Sequence, residues 1–370
     1  MEVHEPLGLT EEEFESLLEK FDSKTWNSRE YLHLPDYRKN IERGTVLFDD
    51  EVVRGFPKIP RTLNLENGIP RYFGEDKEIA VEEKYNGYNT RIAQVDGEYL
   101  AFTRGGIICP FTTAKARDLL DLDGFFSDNP EMMLCCEMAG IENPYTATDY
   151  PEIDGLGARV FDVRDRVSGD SLTVQERREL TESYGMENVS LFGVFDVDDA
   201  PDEVARIIEE LDSEGREGVV MKTLDIRKQL KYTTSSAAND ALEYAFRLLF
   251  DYGKDFMFRR LMTEIFQAHE LNDEEERKEQ AHRIGESILL PAAETVDTVK
   301  EGGEVGENHV IEGDPEVITE TLEHLEGLGL KIVIKKDETV DGERRVRFMK
   351  RMQSTNDKTE SFLDGTPLRS

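Results

Sequence analysis

Glu82-Glu83-Lys84-Tyr85-Asn86-Gly87-Tyr88-Asn89-Thr90-Arg91 follows directly on the apolar run Ile79-Ala80-Val81. The order is a strand, then Lys-x-Asn-Gly-x-Asn, then a second strand-like run over 90–95. A lysine acts as a nucleophile only where its surroundings favour the free amine or neutralise the phosphate it attacks. A glycine beside it lets backbone approach a ligand closely. An exposed turn would read the same in isolation, so the role of Lys84 is decided by the segments on its C-terminal side.

The first of these, Thr103-Arg104-Gly105-Gly106, sets an arginine beside two glycines, suited either to a bidentate grip on phosphate or to a surface turn. Leu134-Cys135-Cys136-Glu137 ends an apolar run with a carboxylate. Burying that group without a partner is costly, so Glu137 is expected to meet a sugar hydroxyl, a metal or a cation. Arg159-Val160-Phe161-Asp162-Val163-Arg164 puts an aromatic inside a strand, as core or as one wall of a base-stacking slot. Arg216-Glu217-Gly218-Val219-Val220-Met221-Lys222 and Arg227-Lys228-Gln229-Leu230-Lys231-Tyr232 then gather Arg216, Lys222, Arg227, Lys228 and Lys231. A nucleotide triphosphate needs such a cluster.

The cluster stands out because the chain is acidic. Its 370 residues carry 80 Asp and Glu against 45 Lys and Arg, a net charge of -35. The acids are dispersed rather than gathered in a tail. They suit a halophilic, high-salt cytoplasm, where ions screen their repulsion, better than a basic partner. Cys109, Cys135 and Cys136 form neither a disulfide framework nor a metal-binding spacing. The N-terminus lacks a basic start and an apolar signal core, and no run reaches transmembrane length. The expectation is a soluble cytoplasmic protein with no membrane partner and two or three domains.

Thr10 followed by Glu11, Glu12 and Glu13 has capping-box spacing and leads into Phe14, Leu17, Leu18 and Phe21. Strands begin near Thr45 and continue over 90–95, 99–103, 132–136, 158–163 and 218–222, with helices over 113–122, 174–184 and 201–214. That is an α+β pattern around antiparallel sheets. The chain turns helical over 236–290, where a Phe- and Met-rich stripe is expected to be core, with a subunit interface as the alternative. A Gly- and Glu-rich linker is expected over 299–308 and a helix over 314–328. A hairpin comes next, 330–336 against 344–350 around Asp341-Gly342. It is the most basic stretch of the chain, read either as a contact surface for a polyanion or as a solvated edge.

Taken in order, these segments resemble the six nucleotidyltransferase motifs of the covalent ligase and mRNA-capping superfamily. Lys84 falls in the first motif, Arg104 in the next, Glu137 in the third and Phe161 in its companion. Glu217 to Lys222 matches the fourth and Lys228 to Lys231 the fifth. DNA ligases and capping enzymes show Lys-x-Asp-Gly-x-Arg where this chain has Asn86 and Asn89, which resembles the RNA ligase pattern. Arg54-Gly55-Phe56-Pro57-Lys58-Ile59-Pro60-Arg61, Arg104-Gly105-Gly106-Ile107-Ile108-Cys109-Pro110-Phe111 and Glu142-Asn143-Pro144-Tyr145 are similar to archaeal homodimeric, ATP-dependent RNA ligases that can circularise RNA.

The resemblance implies an α+β fold. It would have a nucleotidyltransferase (ATP-grasp-like ligase) domain of antiparallel sheets with helices over 63–235. An N-terminal module (1–62), a helical dimerisation domain (236–298) and a small C-terminal α/β domain (299–370) would flank it. Lys84 would be the catalytic nucleophile. The nucleotide-binding set would be Glu83, Asn89, Arg104, Glu137, Phe161, Glu217, Lys222, Lys228 and Lys231. Glu83 would reach the adenine amino group, Phe161 would stack on adenine, Glu137 would take the ribose hydroxyls, and Asn89 would orient the RNA 5′-phosphate or leaving group. Glu217 would hold a metal, Mg²⁺ or Mn²⁺. ATP would be the nucleotide, and RNA with 5′-phosphate and 3′-hydroxyl ends the partner. A DNA ligase or a capping-type enzyme is the alternative. The fifth motif departs from Lys-x-Lys, so either Lys228 or Lys231 could meet the α-phosphate.

Overall fold

The computed structural model describes residues 4, 5, 7–49, 51–271 and 273–367. α1 (Glu11–Leu18) begins where Thr10 and Glu13 cap one another: the Glu13 N–H donates to Thr10 Oγ1 at 3.3 Å and the Thr10 N–H to Glu13 Oε2 at 3.0 Å. β1 (Asp22–Trp26), β2 (Arg29–His33), β3 (Val46–Phe48) and β4 (Glu51–Val53) make an antiparallel meander. After α2 (Leu65–Phe73) come β5 (Glu78–Glu83), β6 (Tyr88–Val95), β7 (Glu98–Thr103), α3 (Pro110–Leu119), α4 (Leu122–Asp128), β8 (Met132–Ala139) and β9 (Gly157–Asp165). α5 (Val174–Ser183), β10 (Leu191–Asp196), α6 (Ala200–Ser213), β11 (Gly218–Thr223) and β12 (Gln229–Thr233) follow. Two four-stranded antiparallel sheets result, in the orders β10-β5-β11-β12 and β7-β6-β8-β9.

Side-chain alternation explains how these sheets are covered. Ile79 and Val81 of β5 pack with Val219 and Met221 of β11 against the apolar stripes of α2 and α6. Glu82, Val220 and Lys222, on the other face, line a cavity. In the second sheet Ile92, Leu134 and Cys136 join a core with Phe111, Phe125 and Phe126 of α3 and α4. Their neighbours Ala93, Met133 and Cys135 pack against Val46, Phe48, Val53 and Phe56. The N-terminal meander therefore shares a core with the second of these sheets.

α7 (Ser235–Arg247), α8 (Lys254–Glu270) and α9 (Glu274–Lys300) form the helical part. β13 (Gly306–Gly313), α10 (Pro315–Gly327), β14 (Lys331–Val340), β15 (Glu343–Arg351) and α11 (Gln353–Leu363) complete the chain, with sheet order β13-β15-β14. Ile311, Ile318, Leu325, Val346 and Phe348 of this last part enter the same core as Phe111 and Phe125. Among the described residues no helix is long and apolar enough to cross a membrane.

Several sequence expectations shift. The helix over 113–122 starts at Pro110 and stops at Leu119, with α4 following under an Asp121 cap, because proline suits the first helical turn. The strands β1, β2 and β10 were not anticipated. Helix α9 runs through Pro291 to Lys300, and β13 begins at Gly306, so little of the 299–308 linker remains. The stripe of α8 is not core. Phe258 and Ile265 are 62% and 57% exposed, while Thr263, Glu264 and Gln267 are buried. A polar seam turns the helix that way: Glu264 accepts hydrogen bonds from Ser235 Oγ at 2.7 Å and from Gln280 Nε2.

Candidate active site

The ladder between β5 and β11 sets the site. Glu83 pairs with Val219 and Glu82 with Val220, and the Lys84 N–H donates to the Gly218 carbonyl at 2.8 Å. Lys84 follows Glu83 and Glu217 precedes Gly218, and this diagonal brings their Nζ and Oε2 to 2.5 Å. Gly87 sits where a Cβ would come within 2.2 Å of the Met138 carbonyl oxygen, so only glycine lets β6 begin against β8. The Gly87 N–H donates to Glu137 Oε1 at 3.2 Å, and the register of β6 on β8 places Glu137 opposite Asn89.

Lys84, Glu83, Asn89, Arg104, Glu137, Phe161, Glu217, Lys222 and Lys231 all line one cavity of about 610 Å³ where the two sheets meet. Of the residues expected at the site, Lys228 alone is not brought there. It stands before β12, and its Nζ pairs with Asp76 at 2.8 Å. Burial pushes the Glu137 carboxyl up to about 7, against the pull of the Lys84 ammonium and with a further push from Glu217. Burial and the neighbouring cations Lys84, Arg61 and Arg104 bring Lys231 down to about 8.

Phe161 presents its ring to the cavity, braced edge-on by Phe56 with centroids 5.2 Å apart and planes at 87°. Ile59, Val189 and Val220 add apolar wall, making a slot for a flat ring. Glu83 accepts from Ser190 Oγ at 2.7 Å and from Arg216 Nη1 at 3.1 Å, leaving lone pairs for a further donor. Lys222 is fully buried. Its amine pairs with Glu82 at 2.7 Å and donates to the Phe161 carbonyl at 2.8 Å, while Arg177 of α5 caps the other side of Glu82. Burial pushes Glu82 up, but Lys222 and Arg177 outweigh it and hold its carboxyl below the ordinary value.

Sequence reading passed over Glu82 and Arg177, which support the slot from beneath, and Tyr150, whose hydroxyl accepts the Asn86 N–H at 2.6 Å. A charged residue on the face of β5 opposite Ile79 and Val81 was the available signal for Glu82. The basic hairpin is largely neutralised by its own neighbours. Arg344 pairs with Asp337, Arg345 with Glu142 and Glu312, Lys350 with Glu307, and Arg351 with Glu304 and Asp357.

The fold is that of a nucleotidyltransferase-type ligase. Residues 77–233 match the RNA ligase family model, and residues 244–366 match the model described as ligase Pab1020 C-terminal region. Two solved structures of archaeal ATP-dependent RNA ligase, forms 1 and 2, superpose with a TM-score of 0.92 at 41% and 40% identity, each covering 99% of this chain and 98% of the other. A candidate ATP-dependent DNA ligase of Aquifex aeolicus superposes with a TM-score of 0.90 at 27% identity, over 97% of this chain and all of the other. An uncharacterized protein of Methanocaldococcus jannaschii is 42% identical over 342 residues, 89% of this chain and 86% of the relative. This chain belongs to the family of the archaeal ATP-dependent RNA ligases.

Proposed function

We propose that the protein joins 5′-phosphate and 3′-hydroxyl ends of RNA, closing circles among its products, through a lysyl-AMP made at Lys84. The observation that carries the reading is Lys84 held 2.5 Å from Glu217 on the wall of a cavity with one aromatic side and several cations. Lys84 Nζ attacks the α-phosphorus of ATP. A P–N bond forms, the bond to the β-phosphate breaks and pyrophosphate leaves, while Glu217 is placed to take the amine proton. AMP then passes to the RNA 5′-phosphate and frees Lys84. The RNA 3′-hydroxyl attacks the activated phosphate, forming the phosphodiester and releasing AMP. Charge on the phosphate oxygens grows at each step, and Lys231 and Arg104 meet it across the cavity.

Phe161 stacks on adenine, Glu83 receives its amino group, and Glu137 takes ribose hydroxyls. Asn89, whose buried Oδ1 has no partner among the described residues, orients the RNA 5′-phosphate. Lys222 acts from beneath, holding Glu82 and the Phe161 backbone. Lys231 rather than Lys228 meets the α-phosphate. Among the described residues no three His, Cys, Asp or Glu side chains could cage a metal. Glu217 and Glu137 do fit Mg²⁺ or Mn²⁺, which binds through one or two carboxylates plus substrate phosphates. Bound there, the ion would supply Lewis-acid help.

The division at 62, 235 and 298 is retained as functional units. The exposed Phe258, Ile265, Leu289 and Leu290 of α8 and α9 support a homodimer built on the helical part. The dispersed acidity supports the cytoplasm of a halophilic archaeon.

The test is incubation with α-labelled ATP or GTP, with Mg²⁺ or Mn²⁺ in high potassium chloride, followed by a denaturing gel. Label from ATP alone, absent in Lys84→Ala, is expected. Label from GTP would move the reading to capping chemistry. DNA ligation is the second reading, favoured by the Aquifex aeolicus relative, and paired RNA and DNA substrates decide between the two.

A further inference from the structure

Beside the nucleophile's cavity lies a second one of about 800 Å³, bounded by the 63–235 region, the helical part and the C-terminal part. The two adjoin, since Asn86, Tyr145 and Glu217 line both. Two arginines of this cavity stand without a carboxylate. Arg61 ends the Arg-Gly-Phe-Pro-Lys-Ile-Pro-Arg segment and bridges in parallel to Lys231. The Thr62 N–H donates to the Lys231 carbonyl at 3.1 Å, and the Lys231 N–H to the Pro60 carbonyl at 3.0 Å. That double lock fixes Arg61 beside Lys231. Its Nη1 donates to Thr233 Oγ1 at 3.1 Å. Arg260 comes from α8, with its guanidinium 3.6 Å from the centroid of the Phe256 ring. Among the described residues no ion pair joins either arginine to an acid within 4.0 Å, although the chain has 80 acids for 45 bases.

Unpaired guanidinium groups held partly out of water are costly unless an anion answers them. The cost registers on the groups themselves. Burial, with Arg61 close by, brings Arg260 down to about 10. Burial also lowers Arg61, which Glu217 opposes. No other acid lining the cavity, Asp149, Asp240 or Glu307, makes a described ion pair with Arg61 or Arg260. Glu307 is taken by Lys350 at 3.3 Å and by Tyr252 at 3.1 Å, and Asp240 neighbours Glu243 and Asp212. Arg247, on the same cavity, is already paired with Glu243 at 2.8 Å.

We propose that Arg61 and Arg260 form a phosphate subsite next to Lys84, holding either the β,γ-phosphates of the nucleotide or the 5′-phosphate of the RNA. A planar fork of donors suits both. The helical part thereby contributes a binding residue to the reaction centre. The inference rests on the ligase reading above.

Arg260→Gln and Arg61→Lys are compared with wild type and with Arg247→Gln as control, each checked by thermal melting. Arg260 makes no described hydrogen bond, so its replacement removes the charge and the stacking on Phe256, and melting reads any structural cost of the latter. Arg61→Lys keeps charge and loses the fork. Charge-assisted bonds of this kind convert to about tenfold or more in rate or affinity. Slower labelling by subsaturating α-labelled ATP, with slower discharge of the labelled enzyme by pyrophosphate, assigns the subsite to the β,γ-phosphates. Normal labelling with slower AMP transfer to 5′-phosphorylated RNA assigns it to the RNA end. Both rates within about twofold of wild type in Arg260→Gln and Arg61→Lys alike would overturn the proposal. Were the wild type itself unlabelled, the ligase reading would fall. Calorimetric titration with pyrophosphate, weakened or unchanged by Arg260→Gln, would then still decide the subsite.

Discussion

Lys84 and Glu217 are brought together by register, and Glu137 beside them has an unusual proton affinity. Glu137 is raised from 4.5 to about 7. In the folded state it keeps a proton that the unfolded chain has already released, so its contribution to stability is greatest at low pH and falls as pH climbs from about 4.5 to about 7. Glu137→Gln should remove that part of the decline. At pH 8 the variant is expected to unfold at higher urea than wild type, by up to about 3 kcal/mol, while losing AMP transfer. Parallel stability curves for the two proteins across this range would contradict the assignment. Lys84→Ala should fold normally and take no label, because its side chain borders a cavity rather than filling a core. Lys84, Arg104, Glu137, Phe161 and Glu217 were legible because each lies in a short segment with its own spacing. Glu82 and Arg177 were not, since a buried ion pair joins residues 95 positions apart.

At the scale of elements, strand placement decides more than motif spacing does. Lys231 lies within β12 and lines the cavity, whereas Lys228 stands just before the strand and goes to Asp76. Helix α5 is tied to β5 through Arg177, whose guanidinium meets Glu82 and donates to the Phe161 carbonyl. Arg177→Met leaves Glu82 and the Phe161 carbonyl each one partner short in a buried site. A loss of about 3–5 kcal/mol in denaturant unfolding is expected, with weaker ATP binding as Phe161 loses support. Unfolding at the wild-type midpoint would show that the network is not structural. The strands β1, β2 and β13 escaped the sequence because their residues are mostly polar, and pairing with a neighbour rather than an apolar face holds them extended; β10, Leu-Phe-Gly-Val-Phe-Asp, is apolar but is a half-exposed edge strand without a buried alternation. Helix α8 misled for the converse reason: its apolar side is turned outward by the Glu264 seam.

For the molecule as a whole, the outward apolar residues of α8 and α9 and the net charge of -35 make two expectations. Sedimentation in high salt should give twice the chain mass of 42.3 kDa, and Phe258→Asp with Leu289→Asp should give a monomer. A monomeric wild type would refute the dimer. The melting temperature should rise with potassium chloride as repulsion is screened, and a flat profile would count against the high-salt reading. The two sheets also meet in a way that bears on motion. Their shortest crossing is the stretch from Glu83 to Tyr88, and Lys84 rides on it. If the sheets are thought of as jaws, the lysine sits on the axle. Any rotation of one sheet against the other about this crossing would move the cavity walls more than it moves the Lys84 amine.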